Sequence, residues 1–169
     1  KCLLVDSTGN VCKEASREYP LDFPKPTWSE QSPEDWWNAC CECVSELIKD
    51  IDASEVKAIG CAGQMHGLVV LDDEDRVIRP AILWNDARTS DEVDYLNNVI
   101  GKSSIASYTG NIAFAGFTAP KLLWMQKNEP ELFAKIKRIM LPKDYINYIL
   151  TGEHATEFSD AAGMLLVDV

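Results

Sequence analysis

Gly63-Gln64-Met65-His66-Gly67 joins two apolar β-type runs, Val56 to Cys61 and Leu68 to Leu71. Each run has the length of a buried strand, so the link between them is an elbow. Glycine admits positive φ or a close backbone approach, which lets the flanked Gln64, Met65 and His66 point into a cleft from a strand end. That is how an α/β protein presents a ligand site. The plain alternative is a tight connection whose histidine caps a neighbouring backbone group.

Downstream, the extended run Arg79-Pro80-Ala81-Ile82-Leu83 ends in Trp84-Asn85-Asp86-Ala87-Arg88-Thr89. Two polar clusters therefore terminate two neighbouring apolar segments. Between them the acidic run Asp72-Asp73-Glu74-Asp75 reads as a solvated turn, because no EF-hand spacing or glycine follows it. Upstream, Lys1 to Asp6 and Val11 to Tyr19 are expected to pair as a hairpin across Ser7-Thr8-Gly9-Asn10. Pro20, Pro24 and Pro26 then enforce an extended link. Ser32 as N-cap, Pro33 at the first position and Glu34 and Asp35 in the first turn open a helix with a core stripe of Trp36, Cys40, Val44, Leu47 and Ile51.

Thr89 or Ser90 is suited to cap a second helix running to about Val99, with Gly101 as its stop, and Phe117 to Lys127 reads as a third. Pro130 starts a short fourth. Ile139 to Leu141 reads as a strand, Pro142 opens a helix to Leu150 ended by Gly152, and Ala155 to Val169 reads as a loop and a final strand. Strands and helices alternate after an opening hairpin, which predicts an α/β fold with a mixed sheet. No period suggests a solenoid or propeller.

Hydrophobic residues make up 46% of the chain and charged residues 25%, ordinary globular usage. A net charge of −11 repels nucleic acid and anionic membranes alike, so neither is expected as a partner. No apolar stretch approaches the ~18 residues of a membrane span and no secretory leader is visible, which sets a cytoplasmic expectation. Six cysteines and two histidines lack the paired spacing of a zinc site, so no metal is expected in this chain. The cysteines read as free core thiols of a reducing compartment, although Cys2 and Cys12 lie on opposite arms of the hairpin.

The pattern of Gly63-Gln64-Met65-His66-Gly67 followed by Arg79-Pro80-Ala81-Ile82-Leu83-Trp84-Asn85-Asp86-Ala87-Arg88 resembles the FGGY carbohydrate kinases, and their xylulokinase branch in particular. Thr109-Gly110-Asn111, Phe117 to Trp124, Glu129-Pro130-Glu131, Leu141-Pro142-Lys143-Asp144-Tyr145, Leu150-Thr151-Gly152 and Ser159-Asp160-Ala161-Ala162-Gly163 continue the resemblance in family order, so that it covers essentially the whole chain.

The resemblance implies a ribonuclease H-like fold of the actin and hexokinase ATPase type, with a mixed sheet flanked by helices. It implies that residues 1–169 are part of an N-terminal sugar-binding domain, truncated at both ends. A phosphate-binding turn like Gly-Ile-Asp-x-Gly-Thr is expected before Lys1. The aspartate serving as catalytic base, and the nucleotide lobe, are expected beyond Val169. Transfer of the γ-phosphate of ATP to D-xylulose, with Mg²⁺, is then the activity of the whole protein, and this chain alone is expected to be inactive. An unpaired sheet position beside Lys1 to Asp6 further implies self-association, in the simplest case a homodimer.

The resemblance assigns sugar contact to Met65 and His66. Imidazole both donates and accepts, which a polyhydroxylated ligand requires; the alternative is a satisfied structural histidine. Trp84 is a candidate stacking wall or a core residue, and Asn111 a candidate hydroxyl ligand or a turn residue. Asp86 and Arg88 are expected to form an ion pair shaping the cleft, with sugar contact by Asp86 the further expectation. Asp144 reads as a complement to a helix dipole and not as catalytic. A kinase for another ketose, polyol or sugar acid is the alternative within the family, with glycerol kinase disfavoured because it carries an Arg-Glu pair where Met65-His66 stands. A non-catalytic actin-like binding module is the alternative outside it.

Overall fold

The chain opens on the expected hairpin. In the computed structural model, which describes residues 1–168, β1 (Cys2–Val5) pairs antiparallel with β2 (Val11–Ala15). The Asp6 carboxylate organises the turn by accepting from the backbone N–H of Thr8 at 2.9 Å and of Asn10 at 3.0 Å, while Gly9 takes φ +91°. The register sets Cys2 opposite Ala15, which leaves Cys12 facing elsewhere, and every cysteine is a free thiol. Among the described residues β1 has no strand on its other edge.

By contact density the chain divides into two units: Lys1–Pro20 with Glu34–Cys61, and Leu21–Pro33 with the residues from Ala62 onward. The first holds the hairpin and, from Glu34 on, α1 (Pro33–Leu47), which starts with its proline and keeps Glu34 and Asp35 in the first turn as expected. Cys43 and Leu47 of α1 form a small core with Ala15, flanked by Cys2 and Leu4. Ile51 lies past the helix and is exposed, so the stripe ends at Leu47. Cys12 and Cys41 are also exposed, against the expectation of core thiols; Cys41 sits about 200° around the helix from buried Cys43.

Val56 to Cys61 is not a strand. Its backbone is extended at Val56, but no neighbour supplies a ladder, and Ile59 is left 67% exposed. Strand propensity without a partner does not make a strand.

The second unit carries β3 (Glu30–Gln31), β4 (Val69–Leu71), β5 (Ala81–Ile82) and β6 (Arg138–Met140). β3 pairs with β5 and β4 with β6, both antiparallel, and a bridge between Leu68 and Ile82 connects the two ladders. The expected mixed sheet is therefore represented among the described residues by antiparallel pairs alone. Parallel pairing needs a crossover to a further strand, and the Val56–Cys61 run, expected as a strand, is unpaired. β4 is buried throughout, and Leu68, Val70 and Ile82 pack with Trp124 and Met125 into the main core.

Of the helices described after α1, four largely follow the sequence signals. α2 (Ser90–Asp94) widens into a π-turn over Tyr95–Gly101, and at Gly101, with φ +101°, α3 (Lys102–Thr109) begins where the sequence suggested only a stop. Neither Thr89 nor Ser90 caps α2 with its side chain; the Thr89 hydroxyl donates instead to the Ala115 carbonyl at 3.0 Å. α4 (Thr118–Asn128) tolerates Pro120 because first-turn N–H groups have no intrahelical acceptor. α5 (Pro130–Phe133) and α6 (Pro142–Thr151) each begin on proline, and α6 ends on left-handed Gly152. The tail is not a strand: α7 (Phe158–Ala161) runs into a tight turn at Ala162–Met164, capped from the Glu157 carboxylate, and its Ala161 and Met164 pack on Leu141. Val169 of that expected strand lies outside the described residues. Among the described residues no helix is long and apolar enough to cross a membrane.

Candidate functional site

The two glycines of the elbow are needed for packing. A Cβ on Gly67 would stand 2.6 Å from Pro142 Cγ, and one on Gly63 would stand 3.1 Å from Lys143 Cβ, so the segment lies directly on the start of α6. Neither glycine has positive φ; His66 has it instead, at +61°. The Gly67 N–H donates to the Met65 carbonyl at 2.7 Å, closing a γ-turn centred on His66. A γ-turn with positive φ at its centre is the rare, strained hand, and such strain costs about 1–3 kcal/mol.

The strained carbonyl is held from inside the fold. The His66 oxygen accepts from the Thr118 hydroxyl at 3.1 Å and from Lys121 Nζ at 2.8 Å, and Lys121 also donates to the Gly116 carbonyl at 2.6 Å. Lys121 is wholly buried. Burial pushes its ammonium down to about 7, with Asp86 opposing the shift and Arg88 adding to it. The imidazole lies between Phe117, whose ring centroid is 4.4 Å away, and Gly163, where a Cβ would fall 2.4 Å from the His66 ring. Its Nδ1 is buried and has no partner at hydrogen-bond geometry among the described residues, although the Gly163 backbone lies close enough to favour the charged ring, as Asp160 does. Burial first, and the Lys121 cation second, hold the imidazole below its ordinary pKa. At neutral pH the ring is therefore uncharged, with one nitrogen to donate and one to accept.

Met65 is 47% exposed beside it, and Trp84 is 53% exposed, which removes the core reading of that tryptophan. Trp84 is tied to the same machinery through its backbone, since a Cβ on Gly116 would meet the Trp84 carbonyl at 2.5 Å and only glycine fits there. Asp86 is different. One of its oxygens accepts from the Ser29 N–H at 2.6 Å and Arg88 Nη2 at 2.7 Å, and the other from Arg88 N and Nε, both at 2.9 Å. A carboxylate offers about four acceptor sites, so the expected ion pair with Arg88 forms and leaves nothing for a sugar hydroxyl. Arg88 continues to Glu30 and packs its guanidinium on Trp28, while Arg79 joins Glu30 to Glu129. This buried ladder shapes the wall and does not touch solvent at Asp86.

Asn111 behaves as a turn residue: its side-chain oxygen accepts from the Ile112 N–H at 3.0 Å, just after left-handed Gly110, and no hydrogen bond joins it to His66 among the described residues. Asp144 caps α6 by accepting from the Leu141 N–H at 3.3 Å. An apolar hollow of about 160 Å³ over α3, lined largely by Leu96, Ile100, Ile105, Tyr108 and Leu165, contains no charged side chain and is separate from these residues.

Thr118, Lys121, Phe117 and Gly163 were not read from the sequence as site residues. Lys121 left a signal: Thr118, Lys121, Trp124 and Met125 share one helical face, and a lysine among core residues needs a reason.

The family model for the FGGY family of carbohydrate kinases, N-terminal domain, matches residues 1–169. The chain belongs to the FGGY family. The xylulose kinase of Escherichia coli K12 is 45% identical over 169 residues, which is the full length of this chain and 34% of that protein. The solved xyloylose kinase of Brucella ovis superposes with a TM-score of 0.93 at 43% identity, over 98% of this chain and 34% of that one. A gluconate kinase from Lactobacillus acidophilus superposes at 0.91 with 28% identity, over 98% of this chain and 34% of its own. The chain thus spans about a third of the length of the FGGY relatives it matches and shares their actin and hexokinase type of ATPase fold.

Proposed function

We propose that this chain is the sugar-binding part of a kinase that transfers the γ-phosphate of ATP to D-xylulose, giving D-xylulose 5-phosphate. The observation that carries the reading is His66: an uncharged imidazole on a strained turn, seated between Phe117 and Gly163, with exposed Met65 next to it in the chain. Unsatisfied buried polar atoms and strained backbone both concentrate where ligands bind. With Nδ1 buried, the ring offers its Nε2 to a sugar hydroxyl, as donor or acceptor according to the tautomer, Met65 supplies an apolar wall, and Trp84 a flat one. The identity to xylulose kinases supports the choice of sugar, since the fold alone is shared with a kinase named for gluconate.

Phosphoryl transfer asks the protein mainly to align the hydroxyl with the γ-phosphate and to exclude water. The residues of this chain do the aligning. ATP and Mg²⁺ belong mainly to the two thirds of the related kinases that this chain does not cover. The test is His66→Ala in a full-length kinase carrying this chain. The KM for xylulose should rise roughly ten- to a hundredfold, the worth of a lost hydrogen bond in a closed site, with the melting temperature and ATP binding unchanged. A destabilised variant with normal xylulose kinetics would make His66 a structural residue and end the proposal.

A further inference from the structure

Lys121 is an anomaly of charge. It is wholly buried, forms no ion pair among the described residues, and spends its Nζ on two backbone carbonyls. A desolvated cation without a counterion is costly, and a methionine would fill the same space at lower cost. The two carbonyls explain what the fold gains. One belongs to His66 at the centre of the strained turn; the other belongs to Gly116, which packs against the Trp84 carbonyl. No residue local to the turn supplies that restraint; Thr118, on the same helix face, adds the second donor to His66.

We infer that Lys121 is a positioning residue of the sugar site: from inside the fold it clamps the His66 turn to the Gly116 loop, and so sets both the aim of the imidazole and the place of Trp84. The inference rests on the reading of His66 as a sugar ligand. A clamp of this kind acts on binding of the sugar and not on the phosphoryl donor, because neither carbonyl has to move during the reaction.

The experiment compares wild type, His66→Ala, Lys121→Met, Thr118→Val and Thr118→Ser in a full-length kinase carrying this chain, with steady-state constants measured separately for xylulose and ATP. Lys121→Met should raise the sugar KM by about tenfold or more while leaving the ATP KM and kcat within about twofold. Thr118→Val, which keeps the shape and loses the donor, should give a smaller rise in the same direction, and Thr118→Ser should restore wild-type values. A purely structural role predicts the opposite split, a lower active fraction and so a lower kcat with an unchanged sugar KM. If His66→Ala weakens sugar use but Lys121→Met does not, the inference falls and the sugar site stands. If His66→Ala leaves sugar use untouched, both fall. Should Lys121→Met fail to fold, the threonine pair decides: an unchanged sugar KM in Thr118→Val overturns the clamp.

Discussion

Two turns in this molecule solve the same problem by opposite means. At Asp6–Asn10 the chain reverses with local chemistry: the first side chain collects the backbone N–H groups, and the residue at positive φ is a glycine. At Met65–Gly67 the positive φ falls on a histidine, the glycines serve packing, and the restraint comes from a lysine and a threonine more than fifty positions away in sequence. The first turn is what the sequence prefers on its own; the second is held against local preference by the tertiary fold. Strain placed on a polar ligand-type residue, and supported at the cost of burying a cation, is the contrast on which the proposed sugar site rests.

The largest effect that can sharpen this contrast is the pH dependence of Lys121. Its ammonium titrates near 7 in the fold and at about 10.5 in the unfolded chain, so between those values the unfolded state binds more protons and stability rises with pH. Unfolding free energies of wild type and Lys121→Met, measured across that window, should diverge in favour of wild type with increasing pH. The divergence is bounded by about 1.4 kcal/mol per pH unit. A constant difference would mean that the lysine stays charged throughout and that burial has not been as costly as the geometry suggests.

Smaller, and directed at the ring itself, is Gly163→Ala. The new Cβ would collide with the free end of the His66 side chain, which can swing away, so folding should be little affected. The imidazole should lose its seat, and the sugar KM should rise by about tenfold. Calorimetry alongside kinetics checks it; a large fall in melting temperature with normal sugar kinetics would show that Gly163 supports the fold and not the ring.

Smallest is Asp6→Asn in the local turn. Hydrogen bonds from Thr8 and Asn10 hold the Asp6 carboxyl far below the usual carboxylate range. The stability it contributes is complete above the unfolded value of 3.8 and is lost as pH falls toward the lowered folded one. The melting temperatures of wild type and variant should therefore converge on acidification, with no change in any sugar constant. Failure to converge would show that the turn does not depend on the carboxylate.

Local signals carried most of the fold. Proline at the first position located α1, α5 and α6, Gly152 closed α6, and the Ser7 to Asn10 turn placed the hairpin. Where a feature depended on a distant partner the sequence misled. Val56 to Cys61 has strand composition and no ladder, and the tail past Ala155 coils because its apolar residues Ala161 and Met164 pack on Leu141 as one face of a turn. The site divides the same way. Met65 and His66 were legible as a motif, but the saturation of Asp86 and the clamp from Lys121 are three-dimensional facts, fixed by Ser29 and Arg88 in one case and by Gly116 in the other.

The ladder behind the wall has an electrical balance. Three carboxylates, of Glu30, Asp86 and Glu129, face the two guanidiniums of Arg79 and Arg88, leaving one formal negative charge in a ladder that is closed to solvent at Asp86 and Arg88 and open to it at Glu129. Lys121 makes no ion pair with this ladder among the described residues, but Asp86 favours its proton and Arg88 opposes it. In a low-dielectric surround a single charge is felt across several ångströms. An uncharged sugar is indifferent to it, and a sugar acid is not.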